Sequence, residues 1–470
     1  MATQTIDEER FTALAAWFRG ELLRPGDEGY DEARQLWNGM FDKRPAIVAM
    51  CTGTADVIDA VNFARESGLR VAVRGGAHGV AGTGSVDDGM MINLSRMDGV
   101  RVDRDASTIR VGGGATWGAA DREAQAFGLV TPGGIVADTG VAGLTLGGGI
   151  GWVRNKYGLS CDNLLSADVV TADGQLVTAS ATENADLLWG LQGGGGNFGI
   201  VTSFEFRLHP LGPEVMAAIP MYALEGAGAV LRQWRDFVAS APEEVTSAAL
   251  IWTIPGDPPG MPEEVVGREV LITAAVYAGA VAEGERVLQP LREFATPLAD
   301  ISSPMPFRAM QTAFDPFFAN KGAVRSYWKS LYLNEMSDAA IDAIVARGLS
   351  RPSPFTLINI PHFGGAATRV SVEATAFGRR WPFMLSMDAN SVDPNVSDAE
   401  LKSWARDFWT EMQEFSAEGV YLNFLGEEEE GAEELVRLAY GANYDRLREL
   451  KQKYDPNNFF SVNQNIAPAA

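Results

Sequence analysis

Histidine and cysteine are scarce in this chain, with three and two among 470 residues. No Cys or His pair has metal-ligand spacing, and Cys51 and Cys161 cannot build a disulfide framework. A metal centre and a disulfide-stapled scaffold are both excluded as readings. Positive charge is also in deficit: 38 Lys and Arg stand against 61 Asp and Glu, a net charge of −23. Such a surface repels phosphate backbones and anionic lipid, so neither nucleic acid nor membrane is an expected partner. No apolar run approaches the roughly 20 residues of a membrane helix. The acidic start Met1–Arg10 leads into no signal-peptide core, so a cytoplasmic location is expected and the sequons at Asn93 and Asn395 carry little weight. The common nucleotide and hydrolase signatures are missing too. No G-x-x-x-x-G-K-[ST] loop occurs, and Gly149-Ile-Gly151 is followed by Arg154 where a dinucleotide fingerprint needs glycine. Gly158-Leu-Ser160-Cys-Asp162 lacks the closing glycine of a nucleophile elbow.

What the chain has is glycine, 51 residues of it, densest in three clusters. In the first, Val71-Ala-Val73 reads as a strand running into Arg74-Gly-Gly-Ala-His-Gly79. Glycine permits positive φ and close backbone approach, so consecutive N–H groups can form an anion-binding concavity with His78 beside its contents. A tight turn with an incidental imidazole is the bland alternative. The second cluster runs from Thr131-Pro-Gly-Gly through Thr139-Gly140 to Gly143 and the triplet Gly147–Gly149. Two such regions within 80 residues suit a ligand with a long phosphate spine, although a buried turn of small residues is also a fair reading. The third is Gly193–Gly196 followed by Asn197-Phe-Gly199-Ile-Val201, whose last residues open a strand. The C-terminal segment, with Tyr421-Leu-Asn423, Tyr454–Phe460, Asn463 and Asn465, is too rich in Asn and aromatics for a loose tail.

Residues 7–24 read as one amphipathic helix, with Phe11, Leu14, Ala15, Phe18 and Leu22 on a face. From Ala46 onward, short strands alternate with helices. Strands are expected at 46–50, 70–73, 90–94, 108–111 and 168–171, with a helix over 54–67 capped by Thr54. After Leu208-His-Pro210, strands at 250–254, 270–277, 355–360 and 383–387 mix with helices at 227–239, 283–294, 338–348 and 398–417. Pro290 is expected to kink the second of these. Glu427–Glu430 reads as solvated polarity opening a last helix over 433–454. The fold class expected is α+β. The divisions expected are 1–40, N-terminal helices; 41–210, a nucleotide-binding domain; 211–418, a substrate domain whose antiparallel sheet is covered by helices on one face; and 419–470, a returning segment.

Four motifs in this order resemble the vanillyl-alcohol-oxidase/PCMH-type FAD-linked oxidases, in their berberine-bridge-enzyme-like branch, over residues from about 35 to the C-terminus. The resemblance implies a two-subdomain PCMH-type FAD-binding domain and FAD held covalently through a ring nitrogen of His78 to the 8α-methyl carbon. It implies cofactor contacts from Arg74, Gly75, Gly76, Ala77, His78, Gly79, Thr139, Gly140, Gly143, Gly147, Gly148, Gly149, Gly199, Ile200, Val201, Asn423, Asn463 and Asn465. Many relatives carry a second tether, a cysteine in C-P-T-V-G; Val136 stands there, so a single link is expected, as in the monocovalent bacterial members.

The resemblance also implies the chemistry: hydride passes from an alcohol or amine carbon of a small molecule to the flavin, and O2 reoxidises it. Tyr421 matches the family's active-site tyrosine, though an ordinary phenol pKa of about 10 is too high for a base unless a cation lowers it. His362 and Asn359 lie on a strand that relatives place over the flavin; some have glutamate where Asn359 stands. His209 reads as structural, and Trp252, Tyr277, Tyr327 and Trp328 as pocket lining or core. Ile135 sits where residue size admits or blocks O2, so a dehydrogenase with another acceptor stays open. So does an N5-oxide oxygenase of polyketide biosynthesis, which Thr139 and Leu144 resemble. A flavin-carrying binding protein is the non-enzyme alternative. Assembly, a homodimer among the options, is undetermined.

Overall fold

The computed structural model describes residues 6–256, 260–318, 322–378, 381–428 and 431–469. Three sheets organise it, and the architecture is α+β. The first has the order Glu21–Leu23, Ile47–Met50, Met90–Asn93, Val71–Arg74, with the last three strands parallel. Parallel strands need a crossover, and the helix Thr54–Glu66 supplies it. Every residue of Ile47–Met50 and Met90–Asn93 is buried, as expected of strands covered on both faces. Val57, Ala60 and Val61 pack beneath one face, while Tyr30, Ala33 and Leu36 cover the other. The strand Val71–Arg74 ends by delivering the first glycine loop.

The second sheet is antiparallel: Val100–Asp103, Thr108–Gly112, Ile200–Arg207, Leu164–Val170 and Leu176–Ser180. The third has nine strands, with Glu269–Tyr277, Val245–Thr253, Leu357–Pro361, Phe383–Ser391 and Arg325–Leu333 in sequence across its middle and edge. Its two faces separate by the period-2 rule. Ala249, Ile251, Ile358, Ile360, Met387 and Ala389 pack in one cluster with residues of the helices Ala227–Ser240, Asp338–Gly348 and Asp398–Glu411. Ala248, Leu250, Trp252 and Leu357 belong to a different cluster on the opposite face. Truncating Ile251 to Ala in the helix-covered cluster would cost roughly 2–5 kcal/mol, as buried aliphatic deletions do.

The C-terminal segment is tied down. Lys451, fully buried, pairs with Asp455 at 2.6 Å and donates to the carbonyls of Asn197 and Phe460. Asn197 Oδ1 in turn accepts the Ile466 amide at 3.0 Å. A charge at this depth is tolerable because each ammonium hydrogen has an acceptor.

Several expectations need correction. The N-terminal helix is only Glu8–Trp17 and buries no residue; Glu21–Leu23 pairs instead with Ile47–Met50 as a strand. Apolar spacing over 7–24 could not reveal that the second half has a strand partner. Gly53, not Thr54, occupies the cap position of the first crossover helix. The helix at 283–294 stops at Leu288 and tightens into a 3-10 turn containing Pro290. The last helix is two, Ala432–Tyr440 and Tyr444–Tyr454, broken at Gly441.

Glu428 is not solvated. Its carboxylate takes Lys329 at 2.7 Å, Arg406 at 2.9 Å and the Tyr327 hydroxyl at 2.5 Å, and only 7% of its side chain is exposed. Glu429 and Glu430 lie outside the described residues. No helix among the described residues is long and apolar enough to cross a membrane.

Candidate active site

A cleft of about 2310 Å3, counting the part open to solvent, runs between the glycine loops and the face of the third sheet that the helices leave bare. Its floor is built by two loops in direct backbone contact. A Cβ on Gly76 would lie 2.3 Å from the Gly140 nitrogen, and one on Gly140 would lie 2.4 Å from the Gly76 nitrogen. Only two glycines allow this approach. Arg74, Gly75, Gly76, Ala77, His78, Gly79, Thr139, Gly140, Gly143, Gly147, Gly199, Ile200, Val201, Asn423 and Asn463 all line the cleft.

Gly148, Gly149 and Asn465 are not among the lining residues. Gly148 and Gly149 have φ of +113° and +89°, and the Gly149 amide is spent on the Tyr421 hydroxyl at 3.2 Å. Asn465 lies one residue beyond Gln464, the last cleft residue of the tail.

At one end of the cleft stands His78, its ring stacked on Trp37 with centroids 5.3 Å apart. Its Nε2 is 2.9 Å from Asp138 Oδ1, and neither atom has a well-aligned hydrogen bond. Ala77, just before it, holds φ +66°, a left-handed conformation that costs a non-glycine residue about 1–3 kcal/mol.

Further along lies Tyr421. Its hydroxyl accepts the Gly149 amide and Asn423 Nδ2, the latter at 2.9 Å. Burial pushes its pKa up, and those two donors only partly oppose the effect. Tyr421 is therefore a neutral phenol at physiological pH. With both lone pairs taken, its proton is left to donate.

The facing wall comes from the third sheet. Leu357, Asn359 and Pro361 share one face of their strand and line the cleft. His362 has the other parity and does not line it, contrary to the expectation that it could act there as a base. It packs on Phe383 at 5.3 Å, and burial lowers its pKa to about 3, so the ring is neutral. Asp388, on the neighbouring strand opposite Leu357 and Trp328, does face the cleft. It is 3% exposed, its recorded side-chain partner is the Ser386 hydroxyl, and burial raises its pKa to about 7.

Sequence reasoning missed Asp388, and the missed signal was the one charged residue of a strand, Phe383–Ser391, that is otherwise uncharged. Arg154 was also missed as a cleft residue. It is fully buried, with pKa lowered to about 9 by desolvation, and its guanidinium donates to the carbonyls of Gly151, Ser247 and His362 at 2.7–3.0 Å. It thereby ties the second glycine loop to the third sheet. Trp328 lines the cleft, whereas Trp252, Tyr277 and Tyr327 are core. His209 bonds Asn163 at 2.7 Å and stacks on Tyr157, a structural placement.

The residues present suit a flavin dinucleotide. Gly143 and Gly196 have no atom of the described residues within 4 Å of where a Cβ would stand, and both line the cleft, which leaves their backbone open to it, the anion-binding arrangement of such loops. Asn463 Oδ1 and Arg74 Nε are buried without a partner among the described residues, a costly state that a polar ligand would relieve.

The comparisons decide the family. Residues 45–180 match the model described as FAD binding domain, and residues 420–467 match the one described as Berberine and berberine like. An FAD-linked oxidoreductase of Bacillus subtilis, YgaK, is 30% identical over 96% of this chain and 97% of its own. The chain belongs to the PCMH-type, berberine-bridge-enzyme-like FAD-linked oxidoreductases. The xylooligosaccharide oxidase of Thermothelomyces thermophilus is 30% identical over 92% of this chain and 89% of its own. The crystal structure of 6-hydroxy-D-nicotine oxidase from Arthrobacter nicotinovorans superposes with a TM-score of 0.84 at 26% identity, covering 96% of this chain and 98% of that one. The family match accounts for the paired glycine loops, which are built for FAD, and for the returning C-terminal segment with Tyr421 and Asn423.

Proposed function

We propose that this FAD-linked oxidoreductase is an oxidase of a small, largely apolar alcohol or amine, with FAD tethered once, through His78. When bound, FAD supplies a two-electron acceptor for the substrate hydride and passes the electrons to O2. The chain's own residues do the rest. Asp388 takes the proton of the substrate O–H or N–H, because a carboxyl titrating near pH 7 is matched to that task. Tyr421 donates its remaining hydrogen to the substrate heteroatom, and Asn359 offers an amide on the same wall. The observation that carries the reading is the opposition, across one cleft, of His78 and the glycine loops to a wall bearing a buried carboxyl.

The wall supports the substrate class. Trp152 stacks on Phe314 at 6.2 Å, with Trp328, Leu250 and Leu357 also lining the cleft. A chain of sugars would leave hydroxyl groups unpaired against these surfaces, at about 1–3 kcal/mol each; a flat aromatic or alicyclic ring would not. In this respect the cleft suits a substrate closer in kind to 6-hydroxynicotine than to a xylooligosaccharide.

The test is acid precipitation of the purified protein followed by oxygen uptake with aromatic alcohols and cyclic amines. Flavin held in the pellet, absent in His78→Ala, together with H2O2 formation, supports the proposal. Flavin reduction without oxygen uptake would make it a dehydrogenase, and a resting spectrum that differs from ordinary oxidised flavin would point to the N5-oxide.

A further inference from the structure

The loop residue Asp138 has no part in the scheme above, yet its carboxylate is the closest polar group to the flavin tether. Nε2 of His78 lies 2.9 Å from Asp138 Oδ1. Neither atom has an aligned hydrogen bond among the described residues, so this charge-to-ring approach is the one short polar contact of either there, and Nδ1 has no hydrogen-bond partner among the same residues. The ring plane is set by Trp37, stacked at 5.3 Å and 21°. The loop carrying Asp138 is itself anchored, because the Ala137 amide donates to Asp315 Oδ1 at 2.8 Å. Asp315 also faces this pair, and burial first, then the Asp138 charge, holds its pKa up.

We infer that Asp138 is the positioning residue for covalent flavin attachment: it holds the proton of His78 on Nε2 and so presents the Nδ1 lone pair to the 8α-methyl carbon. The inference rests on the reading of His78 as the tether. A carboxylate at one ring nitrogen selects the tautomer in which that nitrogen carries hydrogen and the other is the nucleophile.

The attachment step balances as follows. The bond from Nδ1 to the 8α carbon forms, and one 8α C–H bond breaks. The methyl hydrogen and the Nε2 hydrogen both leave as protons, the second to Asp138. The electron pair enters the isoalloxazine, which takes up two protons; O2 then removes both electrons as H2O2. Asp138 thus acts through the imidazole and never touches the cofactor.

The experiment compares wild type, Asp138→Asn, Asp138→Glu and His78→Ala, each purified as full-length protein with FAD supplied. Total flavin in the native protein and acid-stable flavin in the precipitate are measured separately over time. Asn has the shape of Asp but not its basicity, so it tests proton acceptance rather than packing.

The expected result is native FAD binding in Asp138→Asn with attachment slowed roughly 10²-fold or more, the range general acid–base assistance supplies. Asp138→Glu should recover much of the rate. Equal acid-stable flavin in Asp138→Asn and wild type overturns the inference while leaving the tether at His78 intact. Asp138→Asn protein that binds no FAD at all also overturns it, since Asp138 would then serve binding or folding. Wild-type protein with no acid-stable flavin overturns both the inference and the tether.

Discussion

Asn423 donates to the hydroxyl of Tyr421 at 2.9 Å, two residues apart on a segment that crosses from the third sheet back to the glycine loops. Asn423 also donates to the Leu144 carbonyl at 3.1 Å. One side chain therefore couples the Tyr421 phenol to the short helix Val141–Leu146 that follows the second glycine loop. Tyr421→Phe deletes the acceptor for both Asn423 and the Gly149 amide. The buried Gly149 amide would lose its partner, at about 1–3 kcal/mol, while the half-buried Asn423 would keep the Leu144 carbonyl. Thermal unfolding should fall accordingly, and flavin reduction by substrate should slow without any change in its pH dependence.

On the proposed mechanism Asp388 sets that pH dependence. As the proton acceptor it must be ionised, so the rate of flavin reduction should rise with pH through about 7. Asp388→Asn should abolish this limb and lower kcat/KM by roughly 10²–10⁴-fold. Stability should respond in the opposite direction. The folded pKa is raised above the unfolded value, so the unfolded state ionises first and stability declines as pH rises from the ordinary carboxyl range toward about 7. Asp388→Asn should therefore be relatively more stable than wild type at pH 8 than at pH 4, by denaturant titration at both.

His362 is the internal control for site assignment. It has the same residue type and strand as a plausible base but the wrong face, and burial keeps it neutral down to a pKa of about 3. His362→Gln should leave the pH profile of flavin reduction unchanged and kcat/KM within about threefold, far from the general-base range. A lost acid limb in this variant would move the base from Asp388 to His362.

Glu428 holds together the outer end of the substrate sheet. Burial acts first to raise its pKa, but Lys329, Tyr327 and Arg406 together outweigh it and leave the pKa lowered. Its stability contribution is present above the ordinary carboxyl range and lost as pH falls through the depressed value. Glu428→Gln would strand the buried Lys329 ammonium, and breaking a buried pair in this way costs about 3–5 kcal/mol. Unfolding at pH 7 should show the loss, with the gap to wild type narrowing as pH is lowered.

Gly76→Ala tests the cleft floor. Its Cβ would sit 2.3 Å from the Gly140 nitrogen, well inside contact distance, and backbone on both sides leaves nothing to rotate away. The variant should express with little bound FAD, measured as flavin absorbance per protein.

The four motifs were legible because each depends on local chain chemistry. Gly76 and Gly140 have to lack side chains, and the tail needs Asn423 and Asn463 at set distances from Tyr421; a sequence displays such requirements directly. The helix Asp338–Gly348 was readable to the residue, and the structure adds its Ser337 cap. The strand at Glu21–Leu23 was not, because its hydrogen bonds belong to a partner strand, Ile47–Met50, that sequence spacing within the segment cannot show. Glu428 misled for a similar reason: within an acidic run it looks solvated, and only the packing of two distant segments brings Lys329 and Arg406 against it.

The amino-acid order by itself thus determined the family, the cofactor and the glycine-lined floor, since those rest on backbone freedom and on spacing along the chain. Tertiary structure alone decided which acidic group confronts the cleft and which histidine does not. Strand parity and long-range register choose the face on which a side chain emerges, and desolvation there decides whether Asp388 can hold a proton near neutral pH.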